Sequence, residues 1–215
     1  MSRVTDAHVE ARRESILEAA VEVFARKGMQ TATMAEIAEA AGLSAGAIYR
    51  YFPNKEALAT ACMHDSTGHI LDDWRQLGAD GADPRDVFNA IARGSFDEMK
   101  APDAPQHTLL MVENQLTAAR SGNSAYAAEV QHEHTLIVAG LAEAIARMQE
   151  AGSFPAELDA NLTAESLMAL YVGTRIARLL NPSLDSDAML TQVAGLMALA
   201  AESAARGTRL AGLPA

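Results

Sequence analysis

Apolar residues recur at intervals of three and four along almost the whole chain, and the two-residue alternation of half-buried strands is absent, so the sequence predicts an all-α protein. Ile16, Leu17, Ala20, Val21, Phe24 and Ala25 form one stripe of a first helix over about 9–27, with Arg26 and Lys27 in its last turn and Gly28 as its stop. Thr33-x-x-Glu36 is a capping box that opens a second helix, ended before Gly42. Ser44 caps a third over roughly 45–51, and Pro53-Asn54 stops it and caps a fourth over roughly 55–78. Turn signals at Asp80-Gly81, Asp83-Pro84, Ala101-Pro102, Ser121-Gly122-Asn123, Gly152-Ser153-Phe154-Pro155 and Asn181-Pro182 separate five more, near 85–99, 105–120, 124–151, 160–180 and 186–206. The expectation is about nine helices.

The second and third helices have about two turns each, well short of the roughly 12 to 15 residues at which an isolated helix becomes marginal in water. Packing must hold them. Ala38 and Gly42 are small where the pair would cross and turn, and Ile37, Leu43 and Ile48 are apolar where a shared core would lie. A helix-turn-helix has this arrangement, and a plain αα-hairpin fits the same spacing. The run Thr33-x-x-x-Ile37-Ala38-x-x-Ala41-Gly42-Leu43-Ser44-x-Gly46-x-Ile48-Tyr49-x-Tyr51-Phe52-x-x-Lys55-Glu56-x-Leu58 resembles the DNA-binding signature of the TetR family of bacterial transcriptional regulators. With Ile16, Ala19, Ala20, Phe24 and Gly28, the resemblance covers roughly the first 58 residues. It implies a helix-turn-helix DNA-binding domain over 1–54 and a larger helical effector-binding and dimerisation domain over 55–215.

Several residues of the third helix suit DNA chemistry. Ser44, Ala45 and Gly46 open it with small side chains that let the backbone approach phosphates or base edges. Tyr49 offers a ring to a thymine methyl and a hydroxyl to phosphate, and Arg50 reaches a guanine edge or the backbone. Lys55, in the first turn of the fourth helix, opposes the helix dipole but is well placed for phosphate. The resemblance assigns phosphate contacts to Thr33, Tyr49, Tyr51 and Lys55. Packing for the two tyrosines and solvation for Arg50 remain open readings.

In the rest of the chain, the last two helices are apolar around most of their circumference, so each needs cover on two faces. Gly173, Ala169, Ala194, Gly195 and Ala198 permit close approach of a partner helix, and a thick monomer core is the alternative. The resemblance implies a homodimer through helices 8 and 9, with an effector pocket among the middle helices. By helical angle, Met63, Ile70 and Trp74 share one side of the fourth helix, while Phe88, Ile91 and Phe96 come from the fifth and Tyr171 from the eighth. Tyr126 and His134 are expected to face inward from the seventh. Glu113 falls on the stripe of Leu109, Val112 and Leu116 on the sixth, where a carboxylate needs a partner or a ligand. These ten residues are the candidate effector site, with ordinary core as the alternative for each.

Composition and charge narrow the reading. The 215 residues are 49% hydrophobic and 21% charged, which suits an ordered globular protein. The net charge of −11 speaks against nucleic acid until it is mapped. Residues 1–55 hold seven basic and seven acidic residues, which leaves ten basic and 21 acidic for the remainder. The acid lies outside the candidate reader. A single cysteine, Cys62, excludes an intrachain disulfide, no leader-like segment opens the chain, and the longest uncharged run, Ala188 to Ala201, is too short to span a bilayer. A cytoplasmic, non-membrane protein is expected.

No cofactor or metal is expected, because His64 with His69 and His132 with His134 point apart on their helices. Cys62, Asp65 and His69 share a face, as do Glu129, His132 and Glu133, so a small metal-binding protein or metalloenzyme is the alternative function. No nucleophile-base motif supports an enzyme. The sequence therefore points to a ligand-responsive regulator, a repressor binding a palindromic operator as a homodimer and released by a small molecule.

Overall fold

The computed structural model describes the backbone of residues 2–79, 81–120 and 124–205, and the side chains of 8–79, 81–120 and 125–195. Its described residues form nine α-helices and no strand: α1 (Ser2–Lys27), α2 (Met34–Ala40), α3 (Ala45–Ile48), α4 (Lys55–Leu77), α5 (Pro84–Glu98), α6 (Ala104–Arg120), α7 (Ser124–Glu150), α8 (Ala160–Leu180) and α9 (Ser186–Ala205). The turn expected at Ser121-Gly122-Asn123, the Asp80 half of the preceding turn and the Ala198 side chain lie outside the described residues.

Two helices differ from the periodicity. α1 starts at Ser2 rather than near residue 9. Its first turns carry no apolar stripe to predict them, yet extending a formed helix adds a bond per residue without a new nucleation cost. α3 is shorter than expected, ending at Ile48. Arg50 N–H then bonds Ala47 O at 3.2 Å and Tyr51 N–H bonds Ile48 O at 3.0 Å, the tighter i to i−3 geometry in which a helix winds down ahead of Pro53.

By packing, the chain divides into two compact units, residues 1–70 with 106–135 and residues 71–105 with 136–215. In the first, Ile16, Ala20 and Val23 of α1, Ile37 and Ala38 of α2, Ile48 of α3 and Leu58 of α4 are all 0% exposed in one core. That unit runs past residue 54, because Leu58, Ala59, Ala61 and Cys62 of α4 belong to the same core as α1–α3. Burying each Ile or Leu removes it from water for roughly 1.5–3 kcal/mol, which is what holds helices too short to stand alone.

In the second unit Ile91, Val138, Leu141, Ala142, Ile145, Met148 and Ala164 form the core, with Trp74, Phe88 and Leu167 against it. Asp83 caps α5 by accepting from Arg85 N–H at 2.8 Å, and Asp159 caps α8 by accepting from Leu162 N–H at 2.9 Å. Lys100, after α5, bridges Asp97 at 2.7 Å and Asp187 of α9 at 2.8 Å.

Candidate DNA-binding interface

The capping box forms as predicted. Thr33 Oγ1 accepts from Glu36 N–H at 3.3 Å, and Glu36 Oε2 accepts from Thr33 N–H at 3.0 Å. Lys27, in the last turn of α1, pairs with the same carboxylate. The Lys27 ammonium, then the Thr33 hydroxyl and amide, hold the Glu36 carboxyl down to about 2. α2 ends through Gly42, whose φ of +67° lets Leu43 N–H reach back to Ala38 O at 2.7 Å and turn the chain into α3.

The turn leaves α3 with one face in the core and one face out. Ile48 and Phe52 are buried, whereas Ser44, Ala45, Gly46 and Arg50 are exposed and Tyr49 is 54% exposed. Open space surrounds the position where Gly46 would carry a Cβ, so another molecule's backbone can approach it. The expected Ser44 cap has no side-chain hydrogen bond, which leaves its hydroxyl available. Tyr51 is half-buried and packs against the core, and the Arg13 guanidinium lies 5.5 Å from the Phe52 ring centre.

Lys55 has a partner that the sequence did not suggest. Its Nζ donates to Gln30 O and to Ala32 O, each at 3.0 Å, so two of its three donors tie the start of α4 to the α1–α2 turn. Those carbonyls compensate for a cation at a helix N-terminus.

The candidate effector residues divide between the units. Met63, Glu113, Tyr126 and His134 belong to the first. Met63 packs on the reader's core. Tyr126 is buried, with its hydroxyl 3.4 Å from Met29 Sδ and 3.2 Å from Asn114 Oδ1. Burial, then the charges of Glu113 and Glu56, push its phenol up to about 12, so it stays a neutral donor. Glu113 does have the partner its position demanded, the Met29 and Gln30 amides at 2.8 and 3.0 Å. Leu109 and Leu116, expected beside it on an inward stripe, are instead exposed. The apolar spacing of α6 identified the helix but not the face that packs.

His134 is exposed, and its neighbour Glu133 is the buried residue. At 100° per residue Glu133 is about 20° from Tyr126 and His134 about 80°, so the buried glutamate follows the buried tyrosine on this part of α7. Glu133 meets His64 Nδ1, and Glu129 Oε2 is 3.3 Å from His64 Nε2. Among the described residues, no three His, Cys, Asp or Glu side chains are arranged to hold a metal. Cys62 is buried with its thiol pushed up to about 12 by desolvation, then by Asp65, which removes thiolate chemistry at neutral pH.

Ile70 also belongs to the first unit, while Trp74, Phe88, Ile91, Phe96 and Tyr171 belong to the second. Trp74 and Ile91 line a cavity of about 260 Å³ there, with Leu71, Val87 and Leu136 as further apolar wall and Arg75, Glu143 and Arg147 as its charged groups. Gly140 admits the Trp74 ring, whose Cε3 would be 3.3 Å from a Cβ at that position. Phe88 supports the core beside it, and Phe96 is buried outside the cavity lining. Tyr171 pairs with Arg175, which donates to its hydroxyl at 2.8 Å and lies over its ring at 5.5 Å.

Comparison with known proteins agrees with the geometry of the first unit. Residues 16–62 match the family model described as bacterial regulatory proteins, tetR family. The transcriptional regulator TtgR of Pseudomonas putida is 30% identical over 188 residues, spanning 83% of this chain and 84% of that protein. The transcriptional repressor KstR2 of Rhodococcus jostii is 26% identical over 152 residues, 70% of this chain and 72% of its own. The regulator FadR of Bacillus subtilis, solved in complex with stearoyl-CoA, shares the fold with a TM-score of 0.70 at 22% identity, over 86% of this chain and 96% of that one. With a helix-turn-helix in its first unit and a relative matched along most of its length, the chain belongs to the TetR family, as a DNA-binding transcriptional regulator and not an enzyme.

Proposed function

We propose that this protein is a cytoplasmic repressor that binds a palindromic operator as a homodimer and is released by a small, mostly apolar effector. The outward side of α3 and its flanking turns carries the DNA half of this reading: Ser44, Ala45, Gly46, Tyr49 and Arg50 are exposed together, while Ile48 and Phe52 lock the other side in the core. Small residues and a helix start suit close approach to phosphate, and Tyr49 and Arg50 supply base-edge or backbone contacts. Thr33, Tyr51 and Lys55 act as anchors at its margins, with the third Lys55 donor as the one offered to phosphate.

The dimer reading rests on α8 and α9. Leu162, Ile176 and Leu180 are exposed on α8, beside an apolar groove lined by Leu158, Leu162, Leu167, Leu170 and Val193. Ala169, Gly173, Ala194 and Gly195 are exposed as well, which suits close packing against the same helices of a second copy. The effector site is the second-unit cavity with Trp74 and Ile91 in its wall. FadR of Bacillus subtilis, captured with stearoyl-CoA, supports ligand control in this fold.

A duplex covering the DNA upstream of the chain's own gene tests the interface by fluorescence anisotropy. Tyr49→Ala and Lys55→Ala are each expected to weaken binding about tenfold, with log affinity falling linearly against log salt. Unchanged affinity in both variants would sink the assignment of these residues.

A further inference from the structure

The turn between α1 and α2 presents two amides that neither helix uses. Gly28 N–H bonds Phe24 O at 2.7 Å and Ala32 N–H bonds Gly28 O at 3.1 Å, and of the three amides between them those of Met29 and Gln30 turn to a side chain of α6. One carboxylate fills both. Glu113 Oε2 of α6 accepts from Met29 at 2.8 Å and Oε1 accepts from Gln30 at 3.0 Å. Consecutive amides enclosing an anion form a small anion-binding concavity, and here the anion belongs to the chain itself.

The fit is close enough to restrict the neighbouring residue twice. Gly28 has φ +79°, and a Cβ there would lie 2.9 Å from Glu113 Oε2. α6 reinforces the grip through Thr117, whose Oγ1 lies 3.4 Å from Gln30 Nε2, and through Asn114, which meets the Tyr126 hydroxyl that also touches Met29 Sδ. An anion beside the C-terminal end of α1 is disfavoured by that helix's dipole. Charge-assisted bonds are roughly twice as strong as neutral ones, and there are two of them, so the amides and not the dipole hold Glu113 in place.

We propose that Glu113 is a positioning residue for DNA binding, the clamp by which α6 sets the orientation of the reading helix. The proposal rests on the reading that α3 contacts DNA. The turn, α1, α2 and α3 share one core, so a turn held in one place presents α3 in one attitude. A shift of α6 by about 1 Å takes both bonds beyond hydrogen-bond distance at once. α6 therefore has a direct hold on the reader, separate from the covalent continuation into α4.

The test uses the full chain, hydrogen exchange over peptides containing Met29 and Gln30, and anisotropy titrations with the upstream duplex and a scrambled duplex of equal length. In Glu113→Gln the two amides should exchange faster and affinity for the upstream duplex should fall about tenfold, a coupling of ordinary size. Scrambled-duplex affinity should stay within about twofold, because it depends on charge rather than on attitude. Glu113→Asp, which keeps the charge and withdraws it by one methylene, should recover part of the ratio and carries the same comparison if the Gln variant does not fold. Unchanged amide exchange, or faster exchange with an unchanged ratio between the duplexes, overturns the proposal. Equal binding of both duplexes by the unmutated chain overturns the operator reading beneath it, and the exchange rates then report on the clamp alone.

Discussion

The first three helices and α8 solve the same problem in opposite ways. α1, α2 and α3 bury their apolar faces on one another, on the start of α4 and on residues of α6 and α7 in the same unit, so Ile16, Ile37 and Ile48 retain no exposure. α8 buries Ala164 and Thr174 yet leaves Leu162 70% and Leu180 85% exposed. A module closed on itself owes its stability to its own chain. A helix left open in this way awaits a surface from elsewhere, and the proposed one is its copy in a second subunit.

Substitution inside the closed module should have the largest effect on stability. Phe24 is among the largest fully enclosed side chains, and Phe24→Ala is expected to cost about 3–5 kcal/mol in denaturant unfolding. A cost below about 1 kcal/mol would mean that the short helices draw their support from somewhere other than this core. On the open side, Leu162→Glu combined with Leu180→Glu is expected to leave helix content unchanged and to convert a dimer into a monomer in sedimentation velocity. A double variant that still sediments as a dimer would place the subunit contact elsewhere.

The same contrast governs what the sequence could disclose. The reader was legible because its constraints are local: the Thr33–Glu36 box, the Gly42 turn and the small-large order of Ala38, Leu43 and Ile48 each act within a few residues. Contacts between distant segments were not legible. Nothing near Lys55 marks the carbonyls of Gln30 and Ala32 as its partners, and the need of Glu113 for a partner was visible while the partner, 84 residues earlier, was not. Angle on one helix says which residues point together, but only the neighbouring helices bring the Tyr126 hydroxyl to Met29 and Asn114.

A smaller effect is expected where a local bond is removed without emptying the core. Thr33→Ala deletes the hydroxyl that caps Glu36 N–H at 3.3 Å and should cost about 1 kcal/mol by thermal or urea unfolding. It should also weaken DNA binding if the Thr33 position contacts phosphate. Glu36→Gln at the other end of the box is informative because it separates the two roles, keeping an acceptor for the Thr33 amide while removing the charge that pairs with Lys27.

The smallest effect follows from the titration of Glu36 itself, a surface group whose ion pair is screened by solvent. Lys27 and then Thr33 stabilise its charged form and lower it from the usual 4.5 to about 2. Between those values the unfolded chain binds the proton more readily than the folded one, so stability rises with pH there. The contribution is complete above about 4.5 and is lost as pH falls toward about 2. Thermal midpoints of the unmutated chain and of Glu36→Gln, followed downward from pH 6, should therefore differ most near neutrality and converge on acidification. Added salt should shrink the gap, since Lys27 acts across solvent. Parallel curves at every pH would show that the carboxylate titrates alike in both states. The box would then stabilise α2 through the Thr33 hydroxyl and the neutral acceptor alone, and the Lys27 pair would be an ornament of the surface rather than a support of the reader.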